Sequence, residues 1–204
     1  MRDLTAEFGD IDVYLFDQLL RGRIAPGMRV LDAGCGGGRN LVFLMREGFD
    51  VCGADSSPAA VAAVQALAAR LAPALPAANF RVEPVEAMTF PDAHADVVLA
   101  SAVLHFARDD AHFHAMLAEC WRVLRPGGLF FARLASTAGI LERARPLGGR
   151  RFALPDGSTR YLVDEAWLAQ AAAALGGTLA DPLKTTLVHG MRSMTTWVLR
   201  KGGA

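Results

Sequence analysis

Residues 30–40, Val-Leu-Asp-Ala-Gly-Cys-Gly-Gly-Gly-Arg-Asn, limit the folds open to this chain more than any other segment. An apolar pair, Val30 and Leu31, runs into Asp32. Glycines then alternate at Gly34, Gly36 and Gly38, and an apolar run with helical spacing follows (Leu41, Val42, Leu44, Met45). The order is strand, glycine turn, helix. Glycine tolerates positive φ and lets a ligand approach the backbone closely. The helix start behind it presents unpaired N–H groups and a partial positive charge. Such a loop suits a nucleotide-type cofactor. Gly48 is a plausible helix stop, and Asp50-Val51-Cys52-Gly53-Ala54-Asp55 reads as a second strand ending in a carboxylate. Asp55 lies twenty-one residues beyond Gly34, close to the roughly 20-residue interval at which an acid meets ribose hydroxyls in dinucleotide folds. A carboxylate accepts from two vicinal hydroxyls at once. The bland alternative is an acid that caps the next helix, since Ser56, Ser57 and Pro58 follow it.

Two features separate this loop from a dinucleotide site. The third glycine of that fingerprint would fall at residue 39, which is Arg39. An acid at Asp32 would also repel a pyrophosphate, whereas a cofactor with an amine or sulfonium would welcome it. Asp32-Ala33-Gly34-Cys35-Gly36-Gly37-Gly38 resembles the first motif of the class I S-adenosylmethionine (SAM) methyltransferases, an acid, a spacer, then alternating glycines. Phe80–Glu83 reads as a third strand and Ala95–Ser101 as a buried parallel strand. Leu124-Arg125-Pro126-Gly127-Gly128 matches a turn common in the same family and launches Leu129–Leu134. The resemblance covers residues 28–135 in detail. Gly38-Arg39-Asn40 and the short chain also look loosely like the tellurite-resistance type of methyltransferase.

The resemblance implies an α/β, Rossmann-like, doubly wound and mostly parallel sheet with a C-terminal antiparallel hairpin. The tail from Pro182 to Arg200 agrees: two runs rich in Thr, Val and Trp flank a turn near Gly190, and these are strand formers. The chain is expected to be one domain: an N-terminal helix within 1–27, a SAM-binding core at 28–134, a lid or substrate loop at 135–163, and a last helix with the hairpin at 164–204. Helices are expected near 10–22, from Pro58 to Leu71, from Asp110 to Val123 and from Asp164 to Leu175. The glycine- and proline-rich residues 135–160 predict a short hairpin or lid.

By the same resemblance, SAM is the cofactor. Asp32, Ala33, Gly34 and Gly36 would hold its methionine part, Asp55 and Ser56 its ribose, with Ser101 at a third strand end. Asn40 and Arg39 could reach the amino-acid carboxylate, or Arg39 could simply be solvated. The adenine corner departs from the family pattern, because Pro84 stands where an acid is usual. Glu83 or Glu86 would supply that contact, with Glu86 favoured, Val85 flanking the ring and Ala87 beside it. His105 lies where the family lines the methyl cleft. Its unperturbed pKa near 6.5 suits a general base, and a packing or capping role competes. Tyr14 could close the cleft or belong to the core. His189 and Arg192, at the terminal turn, would face the acceptor. His94, His112 and His114 read as loop or helix-surface residues.

Lys plus Arg equals Asp plus Glu at 21 each, so no global field attracts nucleic acid or an anionic membrane. No run approaches a membrane span, and Met1-Arg2-Asp3 does not begin a signal-peptide core. A cytoplasmic protein, monomeric or homodimeric, with a small-molecule acceptor and no nucleic-acid or membrane partner is expected. Three separated cysteines (Cys35, Cys52, Cys120) give neither metal spacing nor a disulfide framework. Residues 133–160 hold six arginines (Arg133, Arg143, Arg145, Arg150, Arg151, Arg160) against Glu142 and Asp156. That excess fits an anionic acceptor, or simply a solvated charged loop. A non-catalytic SAM-binding partner protein and a nicotinamide oxidoreductase are the competing classes.

Overall fold

The computed structural model describes residues 3–203, so Met1, Arg2 and Ala204 lie outside the described residues. Helices α1 (Leu4–Phe8) and α2 (Val13–Leu20) precede strand β1 (Arg29–Ala33), and the glycine turn leads into the short α3 (Val42–Arg46). Strand β2 (Asp50–Asp55), α4 (Pro58–Leu71), β3 (Phe80–Val82), β4 (Ala95–Ser101), α5 (Asp110–Val123) and β5 (Leu124–Ala135) complete the core. A small excursion, β6 (Arg145–Gly148), β7 (Arg151–Ala153) and β8 (Thr159–Tyr161), comes before α6 (Glu165–Ala174). Strands β9 (Gly177–Leu179), β10 (Lys184–Val188) and β11 (Arg192–Lys201) end the fold.

The main sheet runs β10-β11-β5-β4-β1-β2-β3, with β9 on β11. Strands β1 to β5 pair in parallel, while β11 is antiparallel to β5, β9 and β10. The strand order reverses between β1 and β4, which is where ligands bind in open α/β sheets, at the carboxyl ends of the strands. Both faces are covered. Val98, Ala100, Phe130 and Ala132 pack with Phe113 and Leu117 of α5 and Leu168 of α6. Val97, Leu99, Leu129 and Phe131 point the other way, toward Leu15, Leu44, Val61 and Val64 of α2, α3 and α4. Burial on two faces is why β4 reads as an unbroken apolar run rather than an alternating one.

Helix starts sit where side-chain acceptors stand. Asp12, Ser57, Asp109 and Asp164 each cap a first turn, accepting from Tyr14, Ala60, His112 and Trp167 N–H. The expected first helix is shorter than residues 10–22 because Asp12 caps it. The segment 135–160 is more ordered than a single hairpin: β6, β7 and β8 form a three-stranded antiparallel sheet. Beneath it Ile140, Ala144, Leu154 and Leu162 form their own small core. No helix among the described residues is long and apolar enough to cross a membrane.

Candidate active site

Strand β1 delivers Asp32 to the sheet's switch point, and the chain then turns through Gly34 (φ +80°) and Gly36 (φ +52°). A Cβ on Gly34 would lie 2.5 Å from a Val103 methyl, so the loop after β4 rests directly on the glycine turn. Asp55 ties the glycine turn to the start of α4. Its Oδ2 accepts from Gly36 N–H and its Oδ1 from Ser57 N–H, both at 2.9 Å. Asp32 is 2 % exposed. Burial pushes its carboxyl up to about 7, Arg39 draws it down, and Asp55 adds to the rise. Arg39 is not merely solvated, since its guanidinium donates to Asp10 O and to Ser101 Oγ, each at 3.2 Å. Asn40 is buried with its Oδ1 accepting from Asp12 N–H at 3.0 Å. This places it as an anchor between the loop and the N-terminal helix.

A cavity of about 460 Å³ opens beside this loop, with Gly34, Asp55, Ser56, Val85 and Glu86 among its walls. Glu86 Oε1 lies 3.0 Å from His112 Nε2 and 3.8 Å from Arg108 Nη2. His112 Nδ1 accepts from Arg108 N–H at 3.1 Å, and its buried Nε2 stands near Glu86 without a hydrogen bond among the described residues. His112 is therefore a wall of this cavity and not a surface residue, as helical periodicity alone implied. Glu83 turns away, accepting from Thr89 N–H (2.9 Å) and Thr89 Oγ1 (2.5 Å). Ala87 donates its amide to Pro84 O at 3.1 Å, and Ala33 is buried in β1. Neither is among the walls of the cavity.

A second cavity, of about 370 Å³, shares Ala102 and Phe106 with the first. His105, Arg133, Arg160 and Arg192 line it with Asp156 and Ser158, and Leu154, Val188 and Met194 supply apolar wall. Ala102, at the junction, holds φ +64° without being glycine, a strained state of the kind found at ligand clamps. Its N–H donates to Arg133 O at 2.7 Å. His105 Nδ1 accepts from Ala135 N–H at 3.2 Å, which leaves the proton on Nε2. Burial, helped by the charge of Arg160, pushes its pKa down to about 3. The imidazole is thus a neutral hydrogen-bond donor.

Arg133 is held from below. Its Nη1 lies 3.0 Å from Asp12 Oδ2, its guanidinium is 5.5 Å from the Tyr14 ring centre, and its Nε is buried without a hydrogen-bond partner among the described residues. Asp12 also receives Ser101 Oγ at 3.5 Å, so one buried carboxylate ties the end of β4 and Arg133 of the second cavity to the start of α2. Tyr14 OH meets Thr186 Oγ1 at 2.7 Å. It fastens α2 to β10 and is not a wall of either cavity.

Of the six arginines in residues 133–160, Arg133 and Arg160 reach the second cavity, and Arg192 joins them from β11. Arg150 instead pairs with Asp164 (2.9 Å) and lies 4.2 Å from the centre of the Trp167 ring, while Arg143, Arg145 and Arg151 are exposed. His189 is exposed in the terminal turn at φ +49° and is a wall of neither cavity. Asp12, Asp156 and His112 escaped the sequence reading as site residues, whereas Arg160 belongs to the arginine excess read as fitting an anionic acceptor. Only Asp12 carried a signal, as an acid just before an apolar helical run. Among the described residues no group of three or more His, Cys, Asp or Glu side chains could hold a metal.

Comparison with known proteins gives the family and the fold. The family described as "Methyltransferase domain" matches residues 31–132, half of the chain. The 2-methyl-6-phytyl-1,4-hydroquinone methyltransferase of Synechocystis sp. is 31 % identical over 177 residues, covering 86 % of this chain and 51 % of that protein. The chain spans about half the length of the curated relatives it matches. A SAM-dependent methyltransferase structure from Methanosarcina mazei has a TM-score of 0.74 at 20 % identity, covering 91 % of this chain and 98 % of that one. The 1,6-didemethyltoxoflavin-N1-methyltransferase of Burkholderia thailandensis, solved with that compound and S-adenosylhomocysteine, has a TM-score of 0.70 at 21 % identity over 98 % of this chain and 82 % of its own. These structural likenesses speak for the fold.

Proposed function

The chain belongs to the methyltransferase-domain family, and from that premise we propose that it transfers a methyl group from SAM to a small anionic acceptor. One observation carries the reading. Two cavities meet at Ala102 and Phe106, with a buried carboxylate and a glycine turn beside one and three arginines in the other. The residues present fit SAM. Asp32 is a buried acid in no ion pair among the described residues, and burial raises its pKa against the pull of Arg39. A cationic amino-acid group is the natural match for it. Asp55 offers acceptors to a ribose, and Val85 with Glu86 offers an apolar face and an acceptor to adenine. Gly34 and Ser56, walls of the same cavity, complete the cofactor set with Gly36 and Ser101 behind them, while Ala33 and Ala87 act only through their backbone.

SAM supplies an activated methyl group on sulfur, so the protein's task is mainly to position and to exclude water. On the acceptor side, Arg133 and Arg160 attract and orient an anion, Arg192 guards the mouth, and Asp156 limits the positive charge. Arg133 retains a free N–H donor at Nε because Asp12 engages only its Nη1. His105 donates from Nε2 to an acceptor oxygen. It does not take a proton from it near neutrality, because burial holds the ring neutral and Nδ1 is occupied. The relative from Synechocystis sp. is named for a hydroquinone, an acceptor whose oxygen could be held as an anion in this way.

Two measurements test the proposal. Isothermal calorimetry with S-adenosylhomocysteine should show one site. A by-product assay over a panel of aromatic and aliphatic carboxylates and phenols should show turnover with some of them. Turnover that follows a pH limb near 6.5 in wild type, lost in His105→Gln, would overturn the donor role of His105. No heat with S-adenosylhomocysteine would overturn the function itself.

A further inference from the structure

The charges around the second cavity do not cancel. Three arginines, Arg133, Arg160 and Arg192, and one carboxylate, Asp156, are among its walls. His105 is held neutral by burial. Arg133 is matched from beneath by buried Asp12 at 3.0 Å. Arg192 faces Asp156, with Nε 3.9 Å from Oδ2. Arg160 has no carboxylate within ion-pair distance among the described residues. Its Nη1 donates to Thr159 O at 2.8 Å, and its guanidinium stands 4.8 Å from the centre of the Phe106 ring. Phe106 is 57 % exposed and belongs to both cavities. One positive charge is therefore left over, and Arg160 carries it to the junction with the cofactor cavity.

Asp156 is held with unusual firmness for an acid in a turn. The turn joins β7 to β8 and is closed by Leu154 N–H to Ser158 O (2.8 Å) and Gly157 N–H to Leu154 O (3.0 Å). Leu154 anchors it in the small core below. Asp156 Oδ1 accepts from Ser158 N–H at 3.0 Å and from Ser158 Oγ–H at 2.6 Å. Acids in turns usually spend their charge on water. This side chain is only 21 % exposed. The Ser158 hydroxyl, joined by Arg192 and Arg160 and opposed by partial burial, holds the carboxyl below the ordinary aspartate range. The negative charge is fixed in place.

Resting on the methyl-transfer reading above, we propose that the acceptor is a monoanion and that Asp156 is the residue that sets this limit. The single negative group sits at Arg160 beside Phe106. A neutral molecule would leave Arg160 unmatched. A second negative group would meet the Asp156 carboxylate in a partly enclosed space, where water screens like charges poorly. A volume of about 370 Å³ accommodates a substituted aromatic ring.

The test is a ligand series of constant shape and changing charge. Isophthalamide is neutral, 3-carbamoylbenzoate is a monoanion and isophthalate is a dianion at about pH 7.5. Calorimetry on the protein loaded with S-adenosylhomocysteine, whose sulfur is uncharged, isolates the protein's own charges. At low salt 3-carbamoylbenzoate should bind roughly tenfold more tightly than either of the others. Asp156→Asn keeps an Oδ1 acceptor for Ser158 and removes the charge. The affinity of isophthalate relative to 3-carbamoylbenzoate should then rise about tenfold. A loosened turn would weaken both ligands and leave that ratio where it was. Arg160→Gln should erase the advantage of 3-carbamoylbenzoate over isophthalamide. Isophthalate binding as tightly as 3-carbamoylbenzoate in wild type, or an unchanged ratio in Asp156→Asn, overturns the inference and leaves an anionic acceptor standing. Isophthalamide binding as tightly, or an advantage that survives Arg160→Gln, removes the charge held at Arg160 and the inference with it. Failure of all three in a protein that binds S-adenosylhomocysteine also overturns it, because a ring-sized monoanion should fit. If S-adenosylhomocysteine itself fails to bind, the methyl-transfer reading falls first.

Discussion

Two buried aspartates do most to define the site, and they behave in opposite ways. Asp32 has a folded pKa raised from 3.8 to about 7. Stability from such a group is fully present below its unfolded value and is lost as pH rises through the folded one. The ligand-free protein should therefore lose stability across roughly pH 4 to 7, and Asp32→Asn should remove this component from a thermal-melt series. A cationic ligand reverses the preference, because it binds the ionised acid. Affinity for S-adenosylhomocysteine should fall up to about tenfold per pH unit below 7, and Asp32→Asn should weaken it by about 30-fold or more at pH 8, as for a lost buried charge partner. Calorimetry at several pH values checks both. Asp12 works through Arg133. Asp12→Ala leaves that guanidinium unpaired and uncaps α2, so a loss of about 3 kcal/mol in denaturant melts is expected, with a raised KM for the acceptor. The places of Asp32 and Asp55 at the ends of β1 and β2 were legible because each acid cuts off an apolar run. Asp12 was legible only as a possible helix start, since its partner Arg133 lies 121 positions away. No local pattern reports a contact of that span.

At the level of elements, the parallel core followed closely from the chain. Strands β2 and β4 and helix α5 begin and end where apolar runs meet Asp50, Asp55, Ala95, Ser101, Asp109 and Val123. The part that stayed blurred was residues 135–160, where glycine and proline mark turns without saying which strands they join. There the structure builds β6, β7 and β8 over a separate small core and uses the sheet to carry Asp156, Ser158 and Arg160 to the second cavity. Arg150 moors this unit to α6 through Asp164 and Trp167. Arg150→Ala should cost about 1–2 kcal/mol of local stability. Hydrogen exchange in residues 145–161 should quicken and the acceptor KM rise, while the affinity for S-adenosylhomocysteine stays unchanged. Arg151→Ala, on the exposed strand beside it, should change neither. If both variants alter cofactor affinity equally, the sheet is not specific to the acceptor side.

Across the whole molecule, the sheet is covered on both sides and Cys35, Cys52 and Cys120 are all buried free thiols. Burial pushes the Cys52 and Cys120 thiols up to about 12 and that of Cys35 well above the ordinary thiol range. Thiolate is the reactive form, so a chromogenic disulfide reagent should modify these cysteines only when the fold opens. At a hundredfold excess of S-adenosylhomocysteine over its Kd the modification rate should fall about a hundredfold. A fast phase confined to Cys35 would instead reveal local opening of the glycine turn. The wall formed by Ala102 and Phe106 has a kinetic consequence. Apart from these two residues the hollows have separate linings, so a guest in one need not displace the walls of the other. Initial-rate patterns and product inhibition should accordingly show random addition and departure, with no compulsory first substrate and no obligatory last product.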